Sequence, residues 1–461
     1  MGFEGGSVVK KAAVYFGLLV LAILASLFFG LTFLQTVAVA IVLALVLGTV
    51  LFWEVRLSFA LIGSAVLFAA GLLNVHKFVE FAHLEIIVFL AGMMIFVGYL
   101  EKYAFFEYLI SKIIKLVGGG GKRIFVLLMF LSALFAALVD EVTSILFMLS
   151  IVLYLTARLR VNPVPFVMAT VFATNIGSSA TAVGNPVGVV IALNAKLSFS
   201  DFLQYATPIS FAALVVVMIA TFLYFRKDIE EFATKARAIP VNELIESHSS
   251  QNLLVSSILF FGVLASLIAH AKVEELLGLE KNAMLLGTAL AASGIVLLLE
   301  AKTARQFVET KVDWWTLFFF MMLFSSVGAL EETGVMQVAA KGFSDVFGSS
   351  PGIAMGAIIV ISGLLSAVLD NVLAVAVFVP LVHDLQNTAI AGDYLWWSLL
   401  FGATLFGNLT LIGSTANIVA LGLIEKRGLP KISFMEWFKA GIVVVSVTVI
   451  TAFGLLYLQY G

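Results

Sequence analysis

The chain has 461 residues, of which 62% are hydrophobic and only 12% charged, and its formal net charge is -2. A soluble domain carries about a quarter charged residues, so the composition excludes one and specifies a polytopic membrane protein. The absence of cysteine excludes disulfides, thiolate metal sites and cysteine nucleophiles, and no basic patch is present to bind nucleic acid.

A helix needs about 20 apolar residues to cross ~30 Å of hydrocarbon. Such runs occupy 12–29, 34–53, 57–74, 84–100, 165–193, 206–225, 252–270, 283–300, 313–330, 395–421 and 438–458. Lys10 and Lys11 before the first run imitate a signal peptide. That run is nevertheless long enough to span and lacks a clear cleavage site, so it is expected to be the first helix. Two further apolar stretches, 123–157 and 352–382, are too long for one span and carry acidic residues near their middles. Each is expected as a re-entrant hairpin with Asp140 or Asp370 at its tip, where irregular backbone needs protein or a water-filled cavity around it. Trp53, Trp314, Trp315, Trp396, Trp397 and Trp437 fall near expected span ends, as in an aromatic belt. Glu101, Glu331, Glu332, Asp313 and His270 read as boundary residues.

The fold expectation is an all-α polytopic membrane protein with about 11 transmembrane helices plus two re-entrant hairpins in two inverted repeats. Residues 1–33 would form an extra N-terminal helix, 34–225 the first repeat, 226–251 a charged cytoplasmic linker, and 252–461 the second repeat. The motif Met93-Met94-Ile95-Phe96 through Glu101 echoes Met321-Met322-Leu323-Phe324 through Glu331, with an odd number of crossings between them. With the N-terminus cytoplasmic and the C-terminus outside, only Lys77, Lys196, Lys272, Lys281 and Lys341 of the 26 Lys and Arg fall outside. That bias is the positive-inside rule and supports this topology; the expected location is the plasma (inner) membrane of a prokaryote.

The two halves carry variants of one polar motif. Asp140-Glu141-Val142-Thr143 is followed by Asn175 to Pro186, and Asp370-Asn371-Val372-Leu373 by Gly407 to Asn417. Carboxylates within apolar runs are expensive in lipid and mark a pathway or binding site. Asp140, Glu141, Asp370 and Asn371 are therefore the expected ion-coupling residues. The competing reading is that the acids only cap helices at a water-exposed tip. The Gly/Asn/Ser/Thr-rich breaks free backbone and side-chain groups for a solute, as in transporter central sites. Thr143, Asn175, Ser179, Thr181, Asn185, Asn408, Thr410, Ser414 and Asn417 are the expected substrate ligands, with Asp140, Asn175, Asp370 and Asn408 offered to Na⁺. Small residues serving close helix packing alone is the alternative.

These residues resemble the ArsB/NhaD permease family of the ion transporter superfamily, which includes arsenite permeases, sodium–proton antiporters and P-protein relatives. The resemblance covers roughly residues 34–458 and is most specific in Asn162-Pro163-Val164-Pro165-Phe166 through Pro186 and in Gly407 to Asn417 with Ile432-Ser433-Phe434. The family usually has Asp-Asn-Val-Thr at the first tip and Gly-Asp-Pro-Pro-Asn after it. Here Glu141 replaces the Asn of that tip, and Gly184-Asn185-Pro186-Val187-Gly188 lacks the second acid. More distant relatives, the divalent anion/sodium symporters, imply re-entrant hairpins, an elevator-like mechanism and a homodimer. Those proteins carry Ser-Asn-Thr at both tips, so the acidic tips here disfavour sodium-driven dicarboxylate uptake.

The expected function is secondary transport: proton-coupled extrusion of an inorganic ion or an oxyacid such as arsenite, with Na⁺/H⁺ antiport as the alternative. No cofactor is expected, and the coupling ion would be H⁺ or Na⁺. The expected partners are the small solute and the lipid bilayer; a homodimer and a separate ATPase subunit stay open, and nucleic acid is excluded. Gly118 to Lys122 lacks P-loop spacing, so this chain alone carries no nucleotide motif. An intramembrane aspartyl protease would need two close aspartates. It would also show a Gly-x-Gly-Asp context that neither Asp140 nor Asp370 has.

Overall fold

The computed structural model describes residues 5–28, 30–117, 120–239, 252–348 and 350–460, and these are helical with no strand among them. Among the described residues, ten helices are long and apolar enough to cross a membrane. The expected runs 34–53, 206–225, 252–270, 283–300 and 313–330 are the helices Phe33–Leu51, Thr207–Tyr224, Leu253–Leu277, Ala283–Leu299 and Trp314–Glu332. The last expected run begins at Phe434 and continues to Tyr460. Two expected spans are not continuous helices. The run 165–193 is Val164–Ser178 and Pro186–Asn194, and 395–421 is Tyr394–Phe406 and Thr415–Lys426. Gly, Ser, Thr and Asn in these gaps give up helix propensity and bond locally instead.

The two overlong stretches are likewise interrupted. The first is Gly121–Leu138 and Glu141–Leu159, parted at Val139 and Asp140; the second is Pro351–Leu369 and Asn371–Leu385, parted at Asp370. Asp370 has a φ of +85°, a left-handed conformation that few non-glycine residues hold without tertiary support.

Two compact units make up the chain. One comprises 1–91, 313–350 and 376–392. Within it Trp314–Glu332 packs on Arg56–Ala69 and Phe33–Leu51. Buried hydroxyls of Ser64 and Ser326 meet at 3.0 Å, and Arg56 stacks over Trp53 while donating to Thr316 Oγ1 at 2.8 Å. Asp313 caps Trp314–Glu332 by accepting from Thr316 N, which agrees with its reading as a boundary residue.

The other unit comprises 92–312, 351–375 and 393–461, and it holds both interrupted stretches up to Val375 together with both broken spans. Gly121–Leu138 lies along Val164–Ser178, and Pro351–Leu369 along Tyr394–Phe406. The first approach is close enough that a Cβ on Gly177 would collide with the Ala133 carbonyl oxygen. Side-chain bonds repeat across the two halves. Thr181 Oγ1 donates to the Ala137 carbonyl, three residues before Asp140, and Thr410 Oγ1 donates to that of Ala367, three before Asp370. Each break is thereby tied to the carbonyl end of the helix that leads into its own acidic turn, where the last carbonyls lack intrahelical donors.

Two expectations are corrected. Trp396, Trp397 and Trp437 are buried rather than belted at a surface: Trp397 Nε1 donates to Tyr460 OH, and Trp437 Nε1 to the carbonyl of Asn408. His270 is no boundary residue, since its helix continues to Leu277 and its ring is buried with Nδ1 2.7 Å from the Leu267 carbonyl. The stretch expected as a linker begins as a helix, Arg226–Arg237, that buries Ile229, Phe232 and Ala236 and packs against Gly121–Leu138. Its remainder, 240–251, lies outside the described residues, as do 1–4, Phe29 and 118–119 of the glycine run.

Candidate functional site

The hub of the site is Glu141, the first residue of its helix and 1% exposed. Its partners come from three other segments. Ser178 Oγ donates to Oε2 at 3.1 Å, and Asn371 Nδ2 and Ser414 Oγ approach Oε1 at 3.5 and 3.4 Å. Every one of these is neutral, and the ion pairs among the described residues do not include Glu141.

From Glu141 the network spreads through both breaks. Asn185 Nδ2 donates to Ser178 Oγ at 2.8 Å while Asn185 Oδ1 accepts from Gly188 N at 2.7 Å, capping Pro186–Asn194. Ser414 caps Thr415–Lys426 and lies 3.0 Å from Asn175 Oδ1, so its single proton serves either Glu141 or Asn175. Asn175 Nδ2 donates to Asn408 Oδ1 at 2.8 Å and to Asn417 Oδ1 at 2.9 Å. Thr415 Oγ1 donates to Asp370 Oδ2 at 3.0 Å. Four helix N-termini thus start at this network: Asp140, Asn185 and Ser414 are caps, and Asp370 precedes Asn371–Leu385. Their free N–H groups and dipoles give the site a positive lean that offsets its acids.

Asp140 and Thr143 stand to one side. Asp140 is half-buried and turns Oδ1 to the backbone N–H groups of Val142 and Thr143 at 2.7 and 2.9 Å. Ser179 is buried but faces away, sharing a 2.8 Å contact with Ser210 and donating to the Ile176 carbonyl. Thr181 and Thr410 are the ties described above rather than lining groups. Sequence reasoning missed Ser178, Thr415 and Trp437. Ser178 is one turn from Asn175 on the same helix face, a spacing that pairs their side chains. Thr415 follows the capping Ser414 directly. Trp437 is distant in sequence and left no local signal.

A cation held by Asp140, Asn175, Asp370 and Asn408 would share the Asn175 and Asn408 oxygens with the hydrogen bonds these already accept from Ser414 and Asn175. No group of three or more His, Cys, Asp or Glu able to hold a metal occurs among the described residues.

Apolar spans around a buried polar network fed by two broken helices define a membrane transporter, not an enzyme. Its sequence matches the citrate transporter family, CitMHS, over residues 50–402, and the chain belongs to that family. An uncharacterized transporter of Mycobacterium bovis is 35% identical over 385 residues, covering 82% of this chain and 86% of the relative. The human P protein is 27% identical over 455 residues, covering 82% of this chain and 54% of the relative. The fold resembles the crystal structure of the Alcanivorax borkumensis YdaH transporter, with a TM-score of 0.59 at 14% identity over 83% of this chain and 86% of that one.

Proposed function

We propose that the chain is a proton-coupled carrier in which Glu141 is the coupling carboxylate and Asp370 its partner across the two tips. The observation that carries this reading is the burial of Glu141 among neutral donors only. A charged carboxylate out of water needs a compensating charge, so a proton or a transported cation completes it in each state. A site that exchanges one for the other is the simplest coupling device.

The preferred cargo is a small oxyacid such as arsenite, for which the hydroxyl and carboxamide lining supplies neutral ligands, as the ArsB/NhaD resemblance also implies. Citrate is the second reading, favoured by the family match. A tricarboxylate beside Glu141 and Asp370 would enter with protons or cations that offset its charge. Na⁺/H⁺ antiport is the third. The positive-inside bias supports a cytoplasmic N-terminus and an external C-terminus. The repeated Thr ties support paired halves, which in inverted orientation would alternate access by an elevator-like shift. A homodimer belongs to the same proposal.

Proteoliposomes holding a pH-sensitive dye test it. An imposed proton gradient should drive arsenite or citrate flux, and adding the cargo should move the internal pH. Arsenite, citrate and Na⁺ all leaving that pH unchanged would reject the reading.

A further inference from the structure

We infer that the free side-chain N–H of Asn408 is the donor by which the site selects its cargo, and that Asn417 and Asn175 are positioning residues that fix its direction. The inference rests on the carrier reading above and adds the class of cargo: a solute presenting an oxygen acceptor, not a bare cation.

The direction of each carboxamide follows from backbone groups that cannot be reversed. Asn417 Nδ2 lies 2.8 Å from the carbonyls of both Gly407 and Thr410. Carbonyl oxygens only accept, so that atom must be the amide nitrogen, and the other terminus of Asn417 must be its oxygen. This oxygen is 2.9 Å from Asn175, which must therefore turn its own nitrogen toward it. Asn175 oxygen then faces Ser414 Oγ at 3.0 Å, a hydroxyl able to donate. The same Asn175 nitrogen meets Asn408 at 2.8 Å, so Asn408 must present its oxygen there and its nitrogen elsewhere. Reversing any one amide would set donor against donor or oxygen against oxygen. The backbone of Asn408 is itself held, since its carbonyl accepts from Trp437 Nε1 at 3.0 Å.

The relay ends on an unsatisfied group. Asn408 is 0% exposed, and among the described residues its Nδ2 has no hydrogen-bond partner. Buried donors are nearly always paired, and leaving one unpaired is costly. A cation cannot satisfy an N–H, whereas a carboxylate, an oxyanion or the oxygen of a neutral oxyacid can. The break that contributes Asn408 also contributes Ser414, which contacts Glu141, so the proposed cargo donor and a partner of the coupling carboxylate lie in one interrupted segment.

The test uses full-length protein in proteoliposomes with citrate and sodium arsenite as oxygen-bearing probes and sodium chloride as the bare cation. Asn408→Asp keeps the oxygen that faces Asn175 and replaces the donor with an acceptor. It is expected to raise the KM of the transported oxygen-bearing probe by about ten- to hundredfold, with a smaller fall in maximal rate. Asn408→Ala, which adds no charge, should raise it about tenfold. Asn417→Ala should also raise KM, and the Asn408→Ala/Asn417→Ala double variant should be no worse than Asn408→Ala alone, because both remove one interaction. An unchanged KM in folded Asn408→Ala overturns the inference. So does proton-coupled flux of Na⁺ with neither citrate nor arsenite carried, and Glu141→Gln abolishing that flux would leave the carrier reading standing. Wild-type protein moving no probe against a proton gradient would bring down both.

Discussion

Glu141 and Asn371 occupy matching places after the two tip aspartates, yet one is an acid and the other an amide, and they touch each other at 3.5 Å. The two halves are therefore chemically unequal at this position, with Asp370 the second buried acid of the network. Asp140 plays a different part from Glu141, because its Oδ1 is engaged by two backbone N–H groups. Asp140→Asn keeps an oxygen at the cap and should cost under about 1 kcal/mol, whereas Asp140→Ala should cost about 1 kcal/mol, read as thermal melting in detergent. A loss of coupled flux in the folded Asn variant would therefore report on charge. At the mouth of Ala283–Leu299, burial works to raise the pKa of Glu300, but hydrogen bonds from Lys102 at 2.6 Å and Tyr103 at 2.9 Å outweigh it and hold the carboxyl below its ordinary value. Such a group stabilises the fold above the ordinary carboxylate range and loses that contribution as pH falls through its lowered pKa. Melting of wild type should thus fall faster on acidification below that range than melting of Glu300→Gln; parallel curves would contradict it.

The interrupted helices show most plainly how sequence becomes site. The breaks were legible because Gly, Asn, Ser and Thr clustered where apolar periodicity should have continued, and the acids were legible because lipid makes them costly. Which acid lies at the centre was not legible, since Asp140 and Glu141 are neighbours and only the helix start decides that one caps while the other points inward. The bounds of the two half-helices were not legible for a related reason: 165–193 reads as one apolar run, although Ser179 to Asn185 are used for local bonds. The Thr ties can be tested directly. Thr181→Val and Thr410→Val each remove one buried donor and should cost about 1–3 kcal/mol, while Gly177→Ala forces a methyl onto the Ala133 carbonyl and should cost about 1–3 kcal/mol or more. Stability equal to wild type in all three would contradict this account of the breaks. The chain has no cysteine, so single-cysteine labelling is clean. If 123–157 re-enters, cysteines at Lys122 and Arg160 should label from the same side of the membrane; labelling from opposite sides would make that stretch a crossing.

At the scale of the whole molecule, a membrane fold, a transporter family and one continuous polar network support the proposed alternating access to a shared compartment. The network links both tips' helices and both breaks through neutral donors, so a change at Glu141 is felt at Asn175, Asn185, Asn371 and Ser414 by direct contact or one bond removed. Composition and hydropathy announced the membrane and the motif pairing announced the two halves, but the buried tryptophan at the second break and the amide relay needed three dimensions. The most direct measurement is cargo-driven pH change in proteoliposomes containing Glu141→Gln beside wild type. The variant should stay folded and lose coupling by about a hundredfold or more, as expected when a general proton carrier is neutralised. Wild-type coupling in folded Glu141→Gln would contradict the account at its centre.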